Sequence, residues 1–296
     1  MKRVILGRTG IETSYLSLGT SAAYDGVVCP AKLKVDDYPD LLRFGYEHGI
    51  TFWDTSLTYG THRAIREALK SIPRKDIVIC SKTIYSGARD ARKAVERTLQ
   101  EIGIDYVDIF LMQCVRNKFE FWHKSKALET LCIMKERGYI RAVGLASHGI
   151  GALEACKNSD MIDIVMGRVN YSGRLMDSRQ DDLKSILAGS QTIKKVSEKL
   201  IPNAIFKSMA ASVQKAVASE EDQKTALKLF QDLHTQDKSI IGMKILGEGH
   251  LANDIDNAIR YVNSLQFITS IVMGCCSREE ITDVIRVINS LIYIES

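Results

Sequence analysis

Four residues of this 296-residue chain combine the right types with suggestive positions: Asp54, Tyr59, Lys82 and Gln113. They fall on or just after successive strand-like segments, in TFWDTSLTYG, IVICSK and VDIFLMQ. A desolvated lysine paired with a carboxylate brings a cation to a neighbouring phenol and favours phenolate. The spacing therefore predicts a Tyr59 pKa lowered from about 10 toward neutrality. Such a tyrosine gives a proton to a carbonyl oxygen or takes one from an alcohol. Gln113 is an amide, able only to donate and accept hydrogen bonds.

These side chains need a scaffold that brings strand ends together. Short apolar runs alternate with amphipathic helical stretches about eight times along the chain, the pattern of parallel strands with helical crossovers. The strand candidates are Tyr15 to Leu18, Thr51 to Trp53, Ile77 to Ser81, Val107 to Met112, Ala142 to Leu145, Ile162 to Gly167, Ile240 to Met243 and Ile268 to Met273. Helix candidates lie near 38–48, 62–71, 89–102, 123–137, 150–157, 252–264 and 277–290, the first opened by Asp36 and Asp37. Runs such as VDIFLM and SIVMG suit parallel strands buried on both faces. The expected closure is a (β/α)8 TIM barrel, in which residues at the C-terminal ends of the strands share one mouth. A barrel of about 250 residues leaves a surplus. It falls between the sixth and seventh strands as a polar, helix-prone insertion at about 177–236, broken only by Pro202. A lid, a solvated appendage and an oligomer contact are all open for it.

Composition narrows the function classes. With 45% hydrophobic residues the chain can bury one large core, and it reads as a single barrel domain over 1–296. A formal charge of +4, without a basic run or acidic tail, implies no nucleic-acid or membrane-surface partner. The start MKRVILGRTG lacks a signal-peptide core, and no apolar run is long enough to cross a bilayer, so a soluble cytoplasmic protein is expected. Seven cysteines without CxxC spacing suit free thiols better than disulfides or a zinc site, and no metal is expected.

The same residues carry a family resemblance over nearly the whole chain. LGRTGIETSYLSLGT resembles the N-terminal hairpin and first strand of the aldo-keto reductases, and GITFWDTSLTYG their Asp and Tyr signature. SKT is similar to their Lys segment, IGIDYVDIFLMQ to their fourth strand, and GYIRAVGLASH and IIGMKILGEGHL to their fifth and seventh. The resemblance implies metal-free hydride transfer between a nicotinamide dinucleotide and a small carbonyl or alcohol substrate. NADP(H) would be the first expectation, with NAD(H) possible. Tyr59 would be the general acid/base, Lys82 its tuner and Asp54 the holder of Lys82. Gln113 stands where the family normally has His, so altered or slower chemistry is expected, with a space-filling amide as the alternative.

On the cofactor side, Ser147, His148 and Arg168 take the positions that usually hold the carboxamide, with Gly19 and Thr20 at the end of the first strand. Arg168 brings a full charge that has to be paired or solvated. Met243 replaces a stacking aromatic, and a thioether can pack against the ring instead. Lys244, Leu246, Gly247, Gly274, Ser277 and Arg278 would lie by the phosphates, where the last helix offers free N–H groups. Glu280, beside Glu279, occupies the position where NADP-using members often place an Arg. Two other readings remain: a non-catalytic or sensory nucleotide-binding protein, and a redox-neutral lyase or epimerase that uses bound nucleotide transiently.

Other residues have plainer expectations. His62 is expected to face solvent early in a helix, and Trp53 to turn toward the surrounding helices. His123 is expected to open a helix after Phe119, Phe121 and Trp122, a segment open between pocket lining and loop packing. Cys114 borders Gln113 but has no neighbouring His or Lys in sequence to activate it.

Overall fold

The computed structural model describes residues 1–23, 33–179 and 217–292. Eight parallel strands close into a barrel: β3 (Leu16–Gly19), β4 (Phe52–Asp54), β5 (Val78–Thr83), β6 (Val107–Val115), β7 (Ile140–Ser147), β8 (Ile164–Arg168), β9 (Ser239–Met243) and β10 (Ser270–Gly274). Each pairs with its sequence neighbours, and β10 closes on β3 through Ile271↔Leu16 to Gly274↔Gly19. All eight strand candidates are present, with ends shifted by up to three residues. Around them lie α1 (Tyr38–Glu47), α2 (His62–Leu69), α3 (Ala88–Ile102), α4 (Lys118–His123), α5 (Ser125–Glu136), α6 (Ile150–Cys156), α7 (Glu220–His234), α8 (Ile255–Ser264) and α9 (Arg278–Ile292). None of the described helices is long and apolar enough to cross a membrane.

Strand alternation divides the apolar residues into two layers. Phe52, Val78, Cys80, Ile109, Leu111, Ile164, Met166 and Ile241 pack inside the barrel, while Trp53, Ile79, Phe110 and Val165 pack outward with the helices. Trp53 is therefore core, as expected.

The interior layer also contains Leu6 and Ile11, which come from the N-terminal hairpin of β1 (Arg3–Ile5) and β2 (Glu12–Ser14). They plug the bottom of the barrel. Gly7 makes the docking possible: at φ +47 it sits so close to Asp237 that an added Cβ would be 2.6 Å from the carbonyl oxygen. Next to it, Arg8 N donates to Asp237 O at 3.0 Å.

Residues 169–238 separate β8 from β9, and α7 is the described helix among them. Its Phe230 lies against Gly167, where an added Cβ would be 2.2 Å from the ring. The rest of the expected insertion, 180–216 with Pro202, lies outside the described residues.

Three details differ from expectation. His123 ends the short helix α4, whose start is capped by Asn117 accepting from Glu120 N at 2.8 Å; α5 then begins at Ser125. The helix expected near 252–264 opens with a 3-10 turn, Ala252–Asp254, before α8. His62 is buried, not solvent-facing. Its Nδ1 lies 2.7 Å from Glu101 Oε2 on α3 and its Nε2 lies 3.3 Å from Ser81 Oγ on β5. Burial lowers its pKa, against the pull of Glu101. Its partners are distant in sequence, and they turn a polar residue at a helix start into a strut between two helices and a strand.

Candidate active site

The mouth is formed where the strands end. β4 stops at Asp54, β5 carries Lys82 in its last turn of pairing, and β6 brings Gln113 up beside them. Lys82 is buried, and its ammonium is ion-paired with Asp54 Oδ1 and donates to Thr55 O at 2.9 Å. Tyr59 lies in the loop after β4, with Lys82 Nζ 5.4 Å from its ring centroid. Thr20 supports the carboxylate's strand end: its backbone N–H and its hydroxyl both donate to Asp54 O, at 2.9 and 3.1 Å.

The electrostatics correct one expectation. Tyr59 is pushed up to about 12, chiefly by burial; Lys82 lowers it, and Asp54 raises it again. The lysine's charge is answered by the carboxylate it pairs with, so too little remains to stabilise a phenolate. For Lys82 itself burial, the largest cause, acts to lower the pKa, yet Asp54, Tyr59 and Cys80 together outweigh it and the net direction is upward. At neutral pH the cluster is thus a protonated phenol beside an ammonium–carboxylate pair, an arrangement suited to giving a proton.

Gln113 is buried, and its Oε1 accepts from Ser56 Oγ at 2.6 Å. With the carboxamide oxygen occupied, its Nε2 is left as a donor. The next residue, Cys114, sits at φ 54 where the β6–β7 register shifts. There its Sγ comes within 3.8 Å of His148 Nε2, a neighbour in space that the sequence did not supply. His148 is held well below the ordinary imidazole range, first by burial and then by Arg168, Arg116, Lys244 and Lys82, so it is neutral.

The expected cofactor positions follow around the mouth on β7 to β10. Ser147 ends β7, and its hydroxyl is engaged with Gly149 O at 3.1 Å. Arg168 ends β8 and is not left as a bare charge. Its Nε bonds Asp177 Oδ1 at 2.6 Å, its Nη2 bonds His148 O at 2.6 Å, and both side chains are buried. Met243 ends β9 in register with Arg168. Lys244, at φ 59, is ion-paired with Glu248, and Leu246 and Gly247 continue that turn. Gly19 and Gly274 are register partners on adjoining strands, and a Cβ on Gly274 would meet nothing closer than Gly19 O at 3.9 Å. The backbone is open at Gly274, whereas a Cβ on the buried Gly19 would lie 3.2 Å from Val272 Cγ1.

At the start of α9, Ser277 Oγ accepts from Glu280 N at 3.2 Å, while Glu280 Oε2 accepts from Cys276 N at 2.7 Å. Glu279 is held below its ordinary range by its backbone N–H and by Ser277. Arg278 lies over the Phe44 ring, 5.3 Å from its centroid.

Phe119 and Trp122 are exposed on α4, whereas Phe121 is buried. Lys124, just beyond, donates to Ile84 O at 2.7 Å and ties this segment to the loop after β5. A cleft of about 280 Å³ flanks the Tyr59 loop between Leu57, Thr58, Thr83 to Tyr85 and α3, but contains none of the four candidate residues. Sequence reasoning missed Ser56 and Asp177. Ser56 stands in the quoted TFWDTSLTYG segment, but only its contact with β6 distinguishes it.

The Aldo/keto reductase family model matches residues 16–295. The chain belongs to this family. Curated relatives of this aldo-keto reductase include the NADH-specific methylglyoxal reductase of Escherichia coli K12, 25% identical over 201 residues, covering 60% of this chain and 62% of that protein. Another is L-galactose dehydrogenase of Arabidopsis thaliana, 28% identical over 153 residues, covering 47% and 46%. Less than two thirds of either relative's length is matched. Among solved structures, a holo aldo-keto reductase from Bacillus halodurans superposes with a TM-score of 0.67 at 14% identity, covering 97% of this chain and 91% of that one. A thermostable aldo-keto reductase crystallised with the inhibitor epalrestat gives 0.66 at 19%, covering 98% and 94%. At these identities the structural likeness carries the fold alone.

Proposed function

We propose that this aldo-keto reductase is a cytoplasmic NADH-dependent reductase of small carbonyl compounds, with Tyr59 as the proton donor. The observation that carries the reading is the placement of the half-buried Tyr59 beside the buried Lys82–Asp54 pair, where the phenol keeps its proton at neutral pH. The nicotinamide supplies a hydride when bound. The chain's own residues do the rest. Tyr59 Oη donates a proton to the carbonyl oxygen as it becomes an alkoxide, and Lys82 holds a cation beside the phenol as charge develops. Asp54 and Thr55 O fix that ammonium, and Gln113 Nε2 gives the same substrate oxygen a second, neutral donor.

Ser147, His148 and Arg168 would hold the carboxamide, with Met243 against the ring and Gly19 and Thr20 at the adjoining strand end. Lys244, Leu246, Gly247, Gly274, Ser277 and Arg278 would border the rest of the dinucleotide. The open backbone at Gly274 suits a close ligand. Two features favour NADH over NADPH. The Glu280 carboxylate already takes a backbone N–H at the start of α9, with Glu279 beside it, so a ribose phosphate would meet two negative charges. Lys244, a cation that could offset them, is paired with Glu248. The Escherichia coli relative is itself named NADH-specific. The six described cysteines are free thiols, which fits a reducing compartment.

The test is calorimetric titration with NADH and NADPH, followed by oxidation of bound NADH with a panel of small aldehydes, ketones and 2-oxoaldehydes. Tighter NADH binding with carbonyl-dependent oxidation is expected. Tight binding without turnover on any carbonyl would select the nucleotide-binding reading, and no binding of either dinucleotide would remove both.

A further inference from the structure

We propose that Ser56 is a positioning residue that fixes which way the Gln113 carboxamide faces, so that the loop carrying Tyr59 also aims the second donor. The inference rests on the carbonyl-reduction reading for its purpose, though not for its geometry.

The hydrogen-bond directions around Ser56 follow from counting protons. A hydroxyl has one proton to give and two lone pairs to receive. Thr58 N, which can only donate, points at Ser56 Oγ from 3.3 Å and takes one lone pair. Thr58 Oγ1, at 3.1 Å, can donate to the other or accept from Ser56. The single Ser56 proton then has three candidate acceptors, Gln113 Oε1 at 2.6 Å, Thr58 Oγ1 at 3.1 Å and Lys82 O at 3.5 Å, and the shortest contact takes it.

Ser56 is fully buried and Gln113 nearly so, so water does not readily replace this bond. Flipping the carboxamide would turn an N–H donor toward an oxygen already receiving Thr58 N, at 2.6 Å, a separation short for N–H···O and ordinary for O–H···O. It would also leave the Ser56 proton with only the longer contacts to Thr58 Oγ1 and Lys82 O. The carboxamide therefore stays with Oε1 on Ser56 and Nε2 as its donating end.

The consequence is specific to an amide. An imidazole in this place has a proton to exchange, whereas an amide contributes only if the correct end faces the substrate oxygen. Ser56 supplies that choice from two residues beyond Asp54 and three before Tyr59, so one short loop holds the proton donor and orients the second donor on a different strand.

Two measurements test this in the full-length protein. In the first, ¹⁵N spectra follow the Gln113 side-chain amide, assigned by its disappearance in Gln113→Ala. Ser56→Ala should move or broaden that resonance pair. An unmoved pair overturns the proposal whatever the activity. The second is a double-mutant cycle on the wild-type reduction rate. Ser56→Ala should lower kcat by about fivefold to tenfold, the loss of one neutral hydrogen bond, with NADH affinity and melting temperature unchanged. In a Gln113→Ala background it should have no further effect. An equal loss in both backgrounds, or none in the wild type, overturns the proposal. A resonance that moves in a protein turning over no carbonyl would leave the orientation standing and sink only the reductase reading.

Discussion

At the bottom of the barrel, Asp108 and Asp163 are each bracketed by two cations and a backbone N–H. At the mouth, Asp54 is ion-paired with Lys82, which stands beside a phenol. Asp108 takes Arg141 at 2.7 Å on one oxygen, and Arg74 at 2.7 Å and Ile79 N at 2.9 Å on the other. Asp163 repeats the pattern with Arg8 at 3.2 Å, Lys135 at 2.5 Å and Val143 N at 3.0 Å. These carboxylates bind strands, helices and the plugging hairpin to one another. Lys82 instead gives Asp54 and Thr55 two of its three donors. Backbone strain follows the same division: of the five described non-glycine residues with positive φ, Cys114 lies in the last two residues of β6, Leu175, Lys244 and Glu248 follow strand C-terminal ends, and only Asp237 lies at the bottom. Such residues cost on the order of 1–3 kcal/mol each and persist where the surroundings hold them. Both ends bury charge, but at the bottom each carboxylate is held on both oxygens by several protein donors, whereas at the mouth Asp54 is paired with one lysine that also stands beside a phenol.

The largest test of that division is Tyr59→Phe. Turnover should fall by about 10²- to 10⁴-fold, the usual worth of a positioned proton donor, while NADH affinity and melting temperature stay unchanged. Steady-state rates beside calorimetry would check this. A variant that kept its rate would move the chemistry elsewhere in the mouth. The mirror experiment at the bottom is Asp163→Ala, which strands Arg8, Lys135 and Val143 N. Stability should drop by about 3 kcal/mol, the low end for a broken buried pair because both cations retain some exposure. Thermal melting should fall on the order of 5–10 °C. The rate per folded molecule should not change, and a lost rate without lost stability would erase the contrast.

The mouth's protonation state gives the next effect. With Tyr59 pushed up to about 12, the phenol stays protonated through the neutral and mildly alkaline range. Carbonyl reduction, which needs the proton, should therefore be flat from about pH 6 to 9. Alcohol oxidation needs the phenolate, whose fraction rises about tenfold per pH unit below the pKa, so its rate should climb about 100-fold between pH 7 and 9. Rates measured in both directions across that window decide the matter. A reduction rate falling near pH 7 would mean that Lys82 dominates the phenol after all.

These predictions separate what the sequence made legible from what it did not. The barrel was readable because runs such as VDIFLM are apolar on both faces, which suits a parallel strand enclosed by its neighbours and their helices. The clustering of Asp54, Tyr59 and Lys82 followed from the shared mouth. The direction of the Tyr59 shift did not, because sequence names the nearby cation but not how deeply the phenol is buried or how fully Asp54 answers the lysine. The burial of His62 and the pairing of Arg168 are invisible in sequence for a related reason: their partners Glu101, Ser81 and Asp177 are brought in by folding. The bulge at Cys114 depends on a positive φ that no residue type announces.

The smallest effect concerns the rim, where the helix start meets the proposed dinucleotide. Glu280→Arg would remove the carboxylate from Cys276 N and place a cation in the first turn of α9, near the exposed Arg278. The ratio of NADPH to NADH affinity should rise by about tenfold, the effect of roughly 1.4 kcal/mol of charge complementarity at a solvated site. Added salt should shrink the gain, since exposed charges are screened within about 10 Å at 0.1 M. Glu280→Gln separates the two contributions, because it deletes the repulsion without adding attraction and should give only part of the shift. If Glu280→Arg leaves the ratio unchanged while the protein binds NADH, the start of α9 does not read the ribose, and selectivity belongs to the Lys244–Glu248 turn on the neighbouring strand. The same titrations on Glu248→Gln would then show the preference moving, because that change releases Lys244 from its pair.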